Sequence, residues 1–210
     1  MKKSEIAKTV IKNIGSIART ADFLAAGLTK PDISELCNKG VLERIRQGFY
    51  QLADDTTITE AQYLSALLPD GIVCMESALF YYGYSDFAPR VWTIAVQRSI
   101  SLTRLKFDAV PVKAYFVQKD IFEIGKIKGS FDGAALFIYD RERTICDCFK
   151  YRTKLDNETF NKAINAYVAD DKKNLGNLSR YAKEIGIYKR VMDLMEVMLN
   201  SVSAQFGYYR

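Results

Sequence analysis

Residues 29–52, TKPDISELCNKGVLERIRQGFYQL, constrain the fold more than any other stretch, because they set a capped helix directly against a hairpin. Thr29 and Asp32 stand three apart, so each side chain can accept from the other's backbone N–H. Pro31 falls in the first turn, where its missing N–H removes no helical hydrogen bond. The helix therefore starts at about Lys30. Ile33, Leu36 and Cys37 recur at i, i+3 and i+4 as one apolar stripe, and Gly40 suits a left-handed stop. Beyond it, residues 41–45 and 49–52 are rich in β-branched and aromatic side chains. Arg46-Gln47-Gly48 joins them as a turn, with glycine available for a positive φ. The tip of this hairpin is basic.

Upstream, Ile6, Ala7, Val10, Ile11 and Ile14 recur with helical spacing as far as Gly15. A second short helix over residues 20–26 carries Phe23 and Leu24 and ends at Gly27. Helix, helix, tight turn, helix and basic hairpin is the order of a winged helix-turn-helix, whose last helix enters the major groove while the wing touches backbone. The competing reading makes these helices a cap on a larger domain and the hairpin an ordinary edge. Charge favours DNA: residues 1–52 hold nine Lys/Arg against five Asp/Glu, whereas residues 53–210 hold 21 against 20, so the basic excess is concentrated at the N-terminus. The candidate DNA contacts follow from position. Lys30, Ser34 and Asn38 lie on the non-core face of the helix and Lys39 near its end. Arg44, Arg46 and Gln47 lie in the wing with Tyr50 beside them, and Arg19 and Thr20 open the preceding helix, where free N–H groups favour phosphate. Glu35 shares the exposed face, where a carboxylate repels phosphate and can only accept from cytosine or pair with a cation.

After residue 52 the chain changes character. ADDTTITE (residues 53–60) is polar and predicts a boundary near residue 55, giving a DNA-binding domain over 1–55 and a second domain over 56–210. A helix over 60–68 stops at Pro69-Asp70-Gly71. Residues 72–75, 91–96 (VWTIAV), 110–117, 121–126 and 134–139 read as strands, and 76–82 as a helix. From Asp140 the pattern is helical, through DRERTICDCFKYR, residues 157–168, 175–185 and 188–199, so the expected class is α+β, ending in a helical bundle. A second basic segment over 172–190 offers Lys183, Lys189 and Arg190 for nonspecific phosphate contact; otherwise it closes the bundle with solvated charges. The charged helix that starts at Asp140 reads either as a functional surface or as a solvated face laced by salt bridges.

Composition removes whole reaction classes. The chain has no histidine, so no Ser-His-Asp or Cys-His nucleophile and no imidazole base exists. Its four cysteines have no histidine partner and only one Cys-x-Cys among them, which argues against zinc and for buried free thiols in a reducing compartment. There is no phosphate-cradling Gly-x-x-x-x-Gly-Lys and no Gly-x-Gly-x-x-Gly after a strand, and no cofactor is expected. No run approaches the ~18 apolar residues of a membrane helix, and MKKSEIAKTVIKN interleaves its lysines with apolar residues, so a cytoplasmic protein is expected. The alternative from another class is a carboxylate- or metal-dependent nuclease or transferase using Asp86, Glu123 and Asp132 with Lys126 or Lys128. Against it, Glu123 and Lys126 stand three apart and would project to opposite faces of a strand.

The order RTADFLAAGLTKPDISELCNKGVLERIRQGFYQL, then VWTIAV, then YDRERTICDCFKYR resembles the AbiEi antitoxin family of type IV (AbiE) toxin–antitoxin, or abortive infection, systems of phage defence. The likeness covers nearly the whole chain. It implies an N-terminal winged helix that binds inverted repeats in double-stranded DNA of its own promoter and represses the operon. It also implies a C-terminal domain that supports antitoxicity against a nucleotidyltransferase-like toxin without a stable complex. On the residues themselves, no enzymatic activity is expected.

Overall fold

Local rules place the helices of the N-terminal segment. The computed structural model describes residues 2–206, with side chains as far as residue 199. Helix α1 (Lys3–Ile14) buries Ala7, Val10 and Ile11, and stops where Gly15 takes a φ of 99°. Helix α2 (Thr20–Ala25) buries Phe23, and α3 (Lys30–Asn38) buries Ile33 and Leu36. The α3 cap is reciprocal, as the spacing predicts: Thr29 N donates to Asp32 Oδ2 at 2.8 Å and Asp32 N to Thr29 Oγ1 at 3.3 Å. The hairpin is β2 (Leu42–Arg46) and β3 (Phe49–Leu52). Its turn is Gln47-Gly48, one residue shorter than expected, so Arg46 belongs to the strand. A further strand, β1 (Ala18–Arg19), pairs antiparallel with β3 and makes a three-stranded sheet in the order β1-β3-β2. Two residues carry no period of their own; only the open edge of β3 makes them a strand. Phe23, Ile33, Leu36, Leu42 and Tyr50 meet in one apolar cluster confined to this segment.

The chain forms two compact units. The first is Met1–Pro69 with Ser101–Pro111 and Ser130–Leu136; the second is Asp70–Ile100, Val112–Gly129 and Phe137–Arg210. Helix α4 (Glu60–Leu67), capped by Thr59, therefore belongs to the first unit, and the polar residues 53–60 are a connection inside it. Tyr63 OH donates to Gln51 Oε1 at 2.6 Å and ties α4 to β3.

The second unit contains β4 (Ile72–Val73), β5 (Trp92–Gln97) and β6 (Val112–Val117); with β7 (Lys126–Phe131) and β8 (Ala134–Tyr139) they form a sheet in the order β6-β5-β4-β8-β7. β5 runs antiparallel to β4 and parallel to β6, and β4 runs parallel to β8. Helices α5 (Met75–Tyr81), α6 (Lys119–Phe122), α7 (Arg141–Lys150), α8 (Asn157–Ala169), α9 (Leu175–Ile185) and α10 (Tyr188–Phe206) complete a mixed α+β architecture. The strand expected over residues 121–126 is instead α6 and a turn at Gly125 (φ +73°), with β7 beginning at Lys126. A short apolar run does not distinguish a strand from one buried helical turn. Ile72, Tyr115, Ile145, Ile164, Tyr167 and Val191 contribute to its core.

Helix α7 corrects both readings of the charged block, because it is neither an exposed surface nor a solvated face. Glu142, Arg143 and Asp147 are buried, Arg143 completely. Arg143 Nε donates to Asp147 Oδ1 at 3.1 Å, Nη1 donates to the Ile121 and Ile124 carbonyls, and the guanidinium stacks 4.2 Å from the Tyr139 ring centroid. Asp140 caps the helix through Arg143 N and accepts from Tyr181 OH. Glu142 Oε1 accepts from Tyr167 OH and Asn174 N. Gly125 is required here, since a Cβ would lie 2.5 Å from Arg143 Cβ. The motif binds the α6 turn, α8 and α9 to α7. Burial raises Asp147 above the ordinary 3.8 of an aspartate, against the pull of Arg143.

Candidate nucleic-acid interface

A cleft of about 450 Å³ opens between α3 and the hairpin, lined by Thr20, Lys30, Ile33, Ser34, Arg44, Gln47, Gly48 and Tyr50. Six of the ten residues chosen by sequence position meet there. Thr20 N donates to Gly48 O at 2.9 Å, fixing the start of α2 against the hairpin turn. Gly48 has φ +82°, the conformation the tight turn requires. Lys30 and Arg44 are exposed, and neither side chain has an ion pair or hydrogen bond among the described residues; Arg44 lies 5.5 Å from the Tyr50 ring centroid. Tyr50 itself is buried and packs edge-on against Phe23, so it supports Arg44 and forms the floor of the cleft. Two cations, the hydroxyls of Thr20 and Ser34 and the Gln47 amide on a concave face are the chemistry that takes phosphate and base edges.

The other four candidates fall elsewhere. Asn38 and Lys39 are exposed at the far end of α3, and Lys39 Nζ is paired with Glu35 Oε1 at 2.5 Å. Sequence position missed Lys3, whose ammonium lies 2.6 Å from Asp32 and 3.8 Å from Glu35 and offsets the acidic face of α3. Lys3 and the Thr29 cap together hold the Asp32 carboxyl down at about 2. Arg19 is exposed on the opposite side of the sheet, its guanidinium 5.6 Å from the Phe49 ring centroid.

Arg46 is half-buried and committed to its own unit. Nη1 donates to Arg104 O at 2.8 Å, Nη2 to Leu67 O at 3.4 Å, and the guanidinium stacks 4.4 Å from the Phe49 centroid. It therefore braces the hairpin and does not project from the tip. Arg46→Ala is expected to cost about 1–2 kcal/mol of stability through two lost carbonyl bonds and a stacked cation. The salt dependence of DNA binding should keep its slope, which titrations of a labelled duplex at several salt concentrations will measure.

In the second unit, Lys183 closes α9, 4.9 Å from the Tyr188 ring centroid, and Lys189 and Arg190 are exposed in the first turn of α10. The carboxylates of the enzyme reading are engaged or isolated. Glu123 pairs with Lys126 at 2.9 Å, Asp86 pairs with Lys162, Asp132 stands exposed in the β7–β8 turn and Lys128 is exposed on β7. Among the described residues no three Cys, Asp or Glu are grouped so as to hold a metal ion. Cys74, Cys146 and Cys148 are buried free thiols and Cys37 is partly buried. No helix among the described residues is long and apolar enough to cross a membrane.

Comparison with known families gives the segment that carries the cleft a likeness. Residues 5–53 match the family model "Transcriptional regulator, AbiEi antitoxin". The matched segment runs from α1 through β3 and contains all ten N-terminal candidates, so this module is similar to that of the AbiEi transcriptional regulators. No curated protein matches the sequence. Among solved structures, the crystal structure of the RV2827C protein from Mycobacterium tuberculosis is similar, with a TM-score of 0.58 and 15% identity over 86% of this chain and 70% of that one. At this identity the likeness speaks to the fold alone.

Proposed function

We propose that this protein is the antitoxin and transcriptional autorepressor of a type IV, abortive-infection operon. The N-terminal module acts as a winged helix, with α3 as the recognition helix and β2–β3 as the wing. Residues 1–55 read inverted repeats in the operon's own promoter. The observation that carries the reading is the cleft holding Lys30, Ser34, Arg44 and Gln47 inside the segment matched by the AbiEi model. Residues 56–210, ending in a bundle of α7–α10, oppose a nucleotidyltransferase-like toxin without forming a stable complex with it, in the cytoplasm and without catalysis of their own. The division of labour is tested in the full-length chain. Lys30→Ala with Arg44→Ala should derepress a promoter reporter yet still protect cells that express the neighbouring toxin. Lys183, Lys189 and Arg190 changed together to Ala should weaken promoter binding by a smaller factor, since they contact only flanking phosphate. Loss of protection in the first variant at unchanged protein level refutes the division; an unchanged affinity in the second leaves the α9–α10 cations as solvated surface.

A further inference from the structure

We infer that Arg98, Lys150, Lys154 and Tyr151, in the second unit, form a binding site for the phosphate and ring of a nucleotide, either free or as a residue of single-stranded RNA. Arg98 N donates to Val117 O at 2.8 Å, which places Arg98 at the carboxyl end of the parallel strands β5 and β6, where α/β sheets commonly take ligands. Lys150 ends α7, and Lys154 lies in the short 3₁₀ turn that follows. The rings of Tyr115 and Tyr151 meet edge-to-face at 5.0 Å. Lys154 Nζ stands 4.9 and 5.2 Å from their two centroids, and Lys150 Nζ 5.8 Å from that of Tyr151. Arg98 is close enough to act electrostatically on both Lys150 and Tyr151.

None of the three cations has an ion pair or side-chain hydrogen bond among the described residues, although Lys150 is half-buried. Burial, reinforced by the positive charge of Arg143 and Arg98, lowers the Lys150 pKa. The carboxylates that face it are Asp147, committed to Arg143, and the more distant Asp120; Glu76 is taken by Lys113 at 2.9 Å. Like charges gathered around a half-buried ammonium repel one another until an anion joins them. Tyr151, half-buried and with no hydrogen-bond partner for its hydroxyl among the described residues, supplies a π-face beside that anion. Cations that track phosphate next to an aromatic ring are the elements of a stacking site for nucleotides. The inference stands on the second unit and does not depend on the promoter reading.

The test uses the full-length chain carrying Lys30→Ala and Arg44→Ala, so that the N-terminal cleft contributes little, and a short fluorescein-labelled oligouridylate as probe. Adding Arg98→Ala, Lys150→Gln and Lys154→Gln should weaken binding tenfold or more. It should also reduce the slope of log K on log salt by about 2, three contacts at roughly 0.7 each for a single strand. Tyr151→Leu should weaken binding about fivefold or more at an unchanged slope. Displacement of the probe by uridine triphosphate would identify a free nucleotide as the ligand. Displacement by unlabelled oligouridylate alone would identify RNA. Unchanged affinity and slope, with or without a fall in unfolding temperature, would overturn the site. If the triple variant does not fold, Lys150→Gln and Lys154→Gln made singly should each lose about 0.7 in slope, and no loss from either overturns it.

Discussion

Arg143→Ala is expected to cost about 3–5 kcal/mol of stability, the range for removing one partner of a buried ion pair. The change strands the Asp147 carboxylate and the Ile121 and Ile124 carbonyls in a region that Arg143 fills at 0% exposure. On the scale of ~5–15 kcal/mol for a whole domain, this is enough to unfold much of the second unit at 37 °C. The loss has a pH signature. With Arg143 gone, burial is opposed only by the weaker pull of Lys150, so the folded pKa of Asp147 rises further above the ordinary 3.8. A carboxyl raised in the folded state contributes stability that is fully present below its unfolded pKa and is lost as pH rises through its folded one. The variant should therefore lie closest to the parent near pH 4 and fall away toward neutrality. Arg143→Met with Asp147→Leu should recover part of the loss, since neither charge of the pair is then left unpaired, but not all of it, because the two carbonyls stay unpaired. Urea unfolding of the parent and both variants across that pH range measures each term. A single variant within about 0.5 kcal/mol of the parent would show that the ion pair does not hold the motif together.

Lys30→Ala with Arg44→Ala is expected to weaken promoter binding by one to two orders of magnitude at physiological salt. Both side chains are exposed, face one cleft and have no carboxylate partner among the described residues, so their charge is available to phosphate. Each phosphate contact adds about 0.9 to the slope of log K on log salt for duplex DNA, so the double variant should lose nearly 2 from that slope. The loss should be similar on the inverted repeat and on random DNA, because phosphate contacts carry no sequence. Ser34, deeper on α3, should behave differently: Ser34→Ala should reduce discrimination between the two DNAs by ~1 kcal/mol or more if it reads a base edge. The double variant should unfold at the parent temperature, since neither side chain is buried. An unchanged slope would remove α3 and the hairpin from the interface.

Much of the N-terminal module was legible because its signals are local. Thr29 with Asp32, Pro31, the apolar stripe of α3 and the glycines at 15, 40 and 48 each act within a few residues, and each stands where expected. The candidate contacts were legible only as a neighbourhood. Lys30, Ser34, Arg44 and Gln47 share the cleft, but Lys39 is neutralised by Glu35 and Arg46 turns inward to the carbonyls of Leu67 and Arg104. Spacing says which face a residue occupies, not which distant carbonyl its side chain will meet.

What the sequence by itself determined was the set of local elements, the concentration of positive charge in residues 1–52, and the absence of any imidazole chemistry. Tertiary structure decided the rest. Strand β1 exists because β3 has an edge to pair. α4 joins the first unit because Tyr63 reaches Gln51. The charged helix of residues 141–150 lies inside the second unit because Arg143, Asp147 and Glu142 find partners up to 32 residues away. Charged side chains read as exposed when taken alone, since burying an unpaired charge is prohibitive; only the fold supplies the aspartate, the carbonyls and the tyrosine ring that make burying Arg143 tolerable.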